Sequence, residues 1–232
     1  MTPNRAPTEL TPNAALSPTV RVVSLRTGGE RRRQLEAAAR SGRVTPLASS
    51  NVLAEETMPQ LASQSLWLLI ASAAAFALLI GVARRLGHAS PLLGTGPLWA
   101  RIAGLMALNI AGYALMIPAH EAVHALVILA LGGRPRFGLK LPLAAYCTAP
   151  NQLFLRDGYI TVALGPLVAL SFVAIVVAVL APNVAAGLLL AAAGNVSGAV
   201  GDLTVVGQIR RLPRETLIAD TQTGYIAYRV ED

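Results

Sequence analysis

Charge and aromatic side chains are scarce in this chain of 232 residues: 13% of positions are Asp, Glu, Lys or Arg and 5% are Phe, Trp or Tyr, whereas 54% are hydrophobic. Soluble domains carry about 25% charged residues, so an ordinary water-soluble fold gives way to a membrane protein as the leading class. The mean hydropathy of +0.55 agrees. Cysteine is almost absent, and Cys147 standing alone rules out an intrachain disulfide framework and any paired-cysteine metal or redox motif. The formal charge is +7, from 19 Lys and Arg against 12 Asp and Glu. These bases cluster in the N-terminal region and short loops without interleaved aromatics, so the charge reads as membrane topology and no nucleic-acid partner is expected. No apolar run follows Met1, and a cleaved signal peptide is therefore not expected.

Residues 1–60 contain no Phe, Trp or Tyr and are rich in Pro, Thr, Ser, Ala and Arg. Such a composition buries too little apolar area to offset the entropy of ordering the chain, which predicts a disordered, basic, cytosolic tail. It carries eight arginines, among them Arg31, Arg32 and Arg33. A short helix over about 29–39 is compatible with the pattern, with few partners to pack on. Residues 61–232 then form the membrane domain.

The stretch from Leu66 to Ala83 has no charge and is closed by Arg84 and Arg85, as expected of a first transmembrane helix. A second uncharged-by-base stretch lies between Arg101 and Arg134. As one straight helix it would reach about 48 Å, beyond a hydrocarbon core of about 30 Å, so a kink near Pro118 is expected. Between Gly158 and Ile209 the one charged residue is Asp202, and Ala181, Pro182 and Asn183 divide the stretch into spans three and four. The tail, the 132–158 loop and the C-terminal tail hold 8, 4 and 4 bases; by the positive-inside rule both termini face the cytosol. The loop sequence FGLKLPLAAYCTAPNQLFL predicts one or two short strands, a hairpin or a reentrant segment. Ile226, Tyr228 and Val230 alternate as in a short strand that pairs with that loop. The expected fold class is thus an all-α membrane protein with about four transmembrane helices and a small cytosolic hairpin between spans two and three.

The second span contains His120, Glu121, Ala122, Val123 and His124, an H-E-x-x-H pattern. On a helix its two imidazoles lie one turn apart on one face, where they suit zinc, with the glutamate as general base toward water. The bland alternative is a pair of buried histidines satisfied by neighbours, with Glu121 reaching the interface. Three ionisable groups at membrane depth are costly without a cation to share, which favours the metal. A catalytic zinc takes three protein ligands. His88 lies in the opposite loop, Glu215 and Glu231 in the C-terminal tail and Asp157 before span three, which leaves Asp202 inside an apolar span and at the depth of His124. In GNVSGAVGD, Gly194, Gly198 and Gly201 permit close helix approach. Asn195, two turns before Asp202, either contacts substrate as an oxyanion donor or makes a structural amide bond between helices.

At HEAVHALVILALGG, AYC near 146, ALGPL, GNVSGAVGDL and ADTQTGYIAY the sequence resembles the putative zincin peptidase family, a domain of unknown function grouped with membrane zinc metallopeptidases. It also resembles the broader site-2 protease class, which carries H-E-x-x-H on one transmembrane helix and an aspartate ligand on a later one. The resemblance implies His120, His124 and Asp202 as zinc ligands and Glu121 as the base. In place of that class's usual proline between its Asn and Asp, and glycine after the Asp, this chain has Gly198 and Leu203.

The expected activity is that of an integral, multi-pass zinc metalloprotease of the cell membrane, cutting peptides or membrane proteins near the cytosolic interface, with Zn2+ as cofactor and the lipid bilayer as its surroundings. The rival is a non-catalytic membrane protein whose metal is structural or whose site binds a partner helix. An ion or proton conductor is disfavoured because no polar residues continue a path across the bilayer.

Overall fold

The computed structural model describes residues 16, 19–23, 29–87, 96–140, 144–221 and 223–231. His88 lies outside them. In chain order the elements are β1 (Arg21–Val23), α1 (Gly29–Arg40), β2 (Val44–Asn51), α2 (Met58–Leu86), α3 (Leu98–Ala130), β3 (Arg136–Lys140), β4 (Ala144–Thr148), β5 (Gln152–Leu155), α4 (Arg156–Leu180), α5 (Pro182–Gly187), α6 (Leu189–Gly198), α7 (Val200–Ile209), β6 (Leu217–Thr221) and β7 (Gly224–Val230).

Four stretches are long and apolar enough to cross a membrane: Met58–Leu86, Leu98–Ala130, Arg156–Leu180 and Leu189–Ile209. α3 runs through Pro118 as one helix of 33 residues, about 50 Å of rise. The division at 181–183 falls where expected: α4 ends at Leu180, and Pro182, whose missing N–H costs nothing in a first turn, opens α5. Glycine lets these helices approach. A Cβ on Gly187 would collide with Leu108, and one on Gly165 would come within 2.8 Å of a Val127 methyl, which draws α3 against both α4 and α5.

The all-α expectation is overturned. Among the described residues a five-stranded mixed sheet runs in the order β1-β5-β6-β7-β2, and β3 and β4 form a separate antiparallel hairpin. β1 pairs parallel with β5, and the other ladders are antiparallel. The C-terminal strand lies between β6 and β2; it meets the 134–156 segment only through β6, since β5 pairs there. Two of the five strands and a helix come from the segment read as disordered. That segment has few apolar residues, but they alternate: Val20, Val22, Leu35 and Ala39 join Leu153, Leu217, Ala219, Ile226 and Tyr228 in one buried cluster. Glu36 accepts the Val22 N–H at 3.1 Å and Arg40 donates to the Val20 carbonyl at 3.1 Å, which ties α1 to the edge strand.

The opposite face of the sheet carries Val23, Phe154, Ile218, Tyr225 and Ala227 and packs on Ile128 of α3, Tyr159 and Val162 of α4 and Val205 and Ile209 of α7. Period-two alternation along β5, β6 and β7 sends successive side chains to the two faces. The sheet therefore lies between α1 and one end of the helix bundle, and the second cluster joins it to the helices that carry the His and Asp residues.

Candidate metal centre

α3 carries His120 and His124 one turn apart, and α7 carries Asp202. The three converge: one ligand atom from each lies within 4.8 Å of the others, and this is the one such cluster of His, Cys, Asp or Glu among the described residues. His120 Nε2 is 3.2 Å from Asp202 Oδ2, and His124 Nε2 is 3.6 Å from the same oxygen. Both imidazoles are buried, with ring centroids 5.1 Å apart in a T-shaped arrangement.

The other nitrogen of each ring is held from behind. His124 Nδ1 lies 2.9 Å from the Val162 carbonyl. A carbonyl only accepts, so Nδ1 carries the proton and Nε2 presents a lone pair to the shared point. The sequence explains why that carbonyl is available: Pro166, four residues on in α4, has no N–H to offer it. His120 Nδ1 lies 3.1 Å from Asn195 Oδ1, while Asn195 Nδ2 donates to Ser171 Oγ at 3.2 Å. With its amide committed as donor to Ser171, Asn195 accepts from His120, and Nε2 again faces inward. Two imidazoles offering Nε2 and one carboxylate oxygen form a donor set that fits a divalent cation such as zinc, with outer hydrogen bonds that fix each ring.

A cavity of about 560 Å³ opens beside the cluster, bounded by α2, α3, α4, α6, α7, β4 and the β6–β7 turn. Glu121 lines it next to the two histidines and Asp202, and the backbone N–H of Cys147 in β4 donates to its carboxylate. Gly198 and Gly201 also line it, and a Cβ on either would meet nothing within 4 Å. The tight packing expected of the glycine series falls on Gly194 instead, where a Cβ would press on the Tyr113 ring. Asn195 is 1% exposed and faces His120 and Ser171 rather than the cavity. Its side chain bridges α3 and α4 through these two bonds.

Sequence reasoning passed over Asp220, on β6. Its carboxylate lines the same cavity, accepts from Tyr159 Oη at 2.6 Å and from the Ala149 N–H at 3.2 Å, and is bonded by the Thr148 side chain. Burial holds its pKa above the ordinary carboxylate value, against the lowering by those donors. The readable signal was an acid in LIADT, a strand whose neighbours are apolar. Cys147 lines the cavity too, with its thiol pushed up to about 12 by burial and then by the charges of Glu121 and Asp220.

No curated protein and no solved structure matches the chain. A family described as "Putative zincin peptidase" matches residues 113–217, a stretch that begins in α3 seven residues before His120 and ends at the first residue of β6. It contains both histidines, Glu121, Val162, Pro166, Asn195 and Asp202. Over residues 113–217 the chain is similar to the family described as Putative zincin peptidase.

Proposed function

We propose that the protein is an integral membrane zinc metalloprotease that hydrolyses peptide bonds near the cytosolic interface of the membrane. The observation that carries this reading is the convergence of His120 Nε2, His124 Nε2 and Asp202 Oδ2, with each imidazole's Nδ1 tied to its own acceptor. The sidedness draws on the sheet, which takes strands from the N-terminal segment, the segment between spans two and three and the C-terminal segment. Four spans put all three on one side, and their arginines make that side cytosolic.

Zinc held there supplies Lewis-acid polarisation of the scissile carbonyl and acidification of a water molecule. Glu121 receives the proton from the attacking water and delivers it to the leaving amine. The Nδ1–H groups of His120 and His124 are committed to Asn195 and Val162, which leaves each Nε2 as the atom turned toward the metal position. The free edge of β4, marked by the Cys147 N–H that faces Glu121, aligns an extended substrate by strand addition. A membrane-protein substrate is thereby read as extended chain rather than helix, next to the open space at Gly198 and Gly201.

Zinc content of detergent-purified protein tests the ligand set: about one zinc per chain in the wild type, lost in His120→Ala and in Asp202→Ala, is the expected result. Glu121→Gln keeps the metal and loses hydrolysis if the protein is an enzyme. Well-folded wild type that takes up no zinc when it is supplied overturns the reading. Zinc that is bound while Glu121→Gln leaves every measured property unchanged supports a structural metal instead.

A further inference from the structure

The β3–β4 hairpin belongs to neither larger layer. It shares no ladder with the five-stranded sheet among the described residues, yet its second strand runs past Glu121. What fixes it are polar ties at its two feet. At the start, Gln152 of β5 clasps Arg134, accepting its N–H at 2.7 Å and donating to its carbonyl at 2.8 Å. At the end, Asp220 of β6 takes the Ala149 N–H at 3.2 Å and the Thr148 side chain. The other carboxylate oxygen of Asp220 accepts from Tyr159 of α4 at 2.6 Å. Tyr159 is 7% exposed and stands one helical turn before Val162, the residue whose carbonyl orients His124. One carboxylate thus joins the end of β4, the centre of the sheet and the helix that holds a candidate metal ligand.

We propose that Asp220, backed by Tyr159, is a positioning residue for the substrate chain: it sets the height of the β4 edge relative to the His120, His124 and Asp202 cluster. This rests on the protease reading above, and specifically on strand addition at β4. Donors from the foot of β4 and from α4 converge on the Asp220 carboxylate, Ala149 on one oxygen and Tyr159 on the other. Its task is to hold β4 in place, with no contact to the reacting atoms. Asparagine at this position keeps the shape but removes the charge: its oxygen can still accept from Ala149 and its Nδ2 donate to Tyr159 Oη, so the ties persist as weaker, neutral hydrogen bonds.

The test uses two probes on the zinc-loaded full chain in detergent: acetohydroxamate, which engages the metal alone, and a neutral peptidyl hydroxamate, which adds an extended backbone. Wild type binds the peptidyl probe more tightly. In Asp220→Asn the zinc content and the acetohydroxamate affinity stay as in wild type, whereas the peptidyl probe weakens by up to about tenfold, the scale of losing the charge assistance of the ties to Asp220. Tyr159→Phe weakens it in the same direction by less, and it carries the test alone if Asp220→Asn does not fold. Equal weakening of both probes, loss of zinc, or no change in either variant overturns the inference. Equal affinities of the two probes in the wild type overturn strand addition itself, a result distinct from a failure at Asp220.

Discussion

The two halves of the molecule solve the problem of apolar surface in opposite ways. In the sheet half, Leu217, Ile218 and Ala227 are 0% exposed, and both faces of the sheet are covered by protein. In the helical half, Trp67, Leu78, Leu115 and Leu180 are 69% to 79% exposed. Water drives the first arrangement together, whereas the second is stable only where the surrounding medium is itself apolar, with its backbone bonds closed within each helix. The candidate metal centre lies at the seam between them. Its ligands come from the helical half, where an unpaired charge is expensive, and the walls that would meet a peptide come in part from the sheet half.

The largest expected effect strikes the seam. Asp202→Ala removes one ligand and leaves two imidazoles, so zinc affinity, measured by competition with a chelating dye, falls by more than about 100-fold, beyond what losing an outer hydrogen bond costs. Next comes the contrast between the halves. Ile218→Ala opens a cavity in the sheet core and costs about 2–5 kcal/mol of unfolding free energy, while Leu115→Ala on an exposed helix face changes stability by less than about 0.5 kcal/mol, both read in the same detergent. Similar costs at the two sites would break the comparison. A smaller effect sharpens it at one carbonyl: Pro166→Ala restores an N–H that competes with His124 for Val162, and zinc affinity falls about tenfold while the helix persists. Unchanged zinc binding would show that the missing N–H is irrelevant to His124.

The mildest prediction concerns Cys147. With its thiol pushed up to about 12, the thiolate fraction at pH 8 is small, though each thiolate is more nucleophilic; alkylation by iodoacetamide is expected to run on the order of 50-fold slower than for a free cysteine. The sign for stability follows. A thiol whose pKa is higher in the folded than in the unfolded chain keeps more protons when folded, so its contribution is whole below the unfolded value and declines as pH rises through about 9 toward 12. Rapid labelling at pH 8 would show that Cys147 is not enclosed as described.

How much of this was legible in the sequence follows the same division. The helices were, because long uncharged runs such as Leu66 to Ala83 have one physical meaning. The sheet was not, because its strands are short, three residues in β1 and four in β5, and each acquires a hydrophobic face only against strands far along the chain, about 130 positions for β1 with β5 and about 65 for β5 with β6. Val20, Val22 and Leu35 look too few to form a core until Leu217, Ile226 and Tyr228 are brought beside them. At the site, His120, Glu121, His124 and Asp202 were readable from side-chain chemistry. The Val162 carbonyl was not, since every residue has one, although Pro166 marks it in retrospect. Asp220 was hidden because an acid in a tail normally signals solvent.

The strand order has a consequence for the life of the chain. β5 pairs with β6, β2 with β7 and β1 with β5, so β6 and β7 are synthesised after the strands they join. A nascent chain that has reached β5 already holds the His-Glu-His sequence, but β2 and β5 then lack their antiparallel neighbours, and the foot of β4 lacks the carboxylate that secures it. The order of translation thus delays completion of the cavity until β6 and β7 have left the ribosome, and termination before them yields a chain with both histidines in place and one wall of the cavity missing.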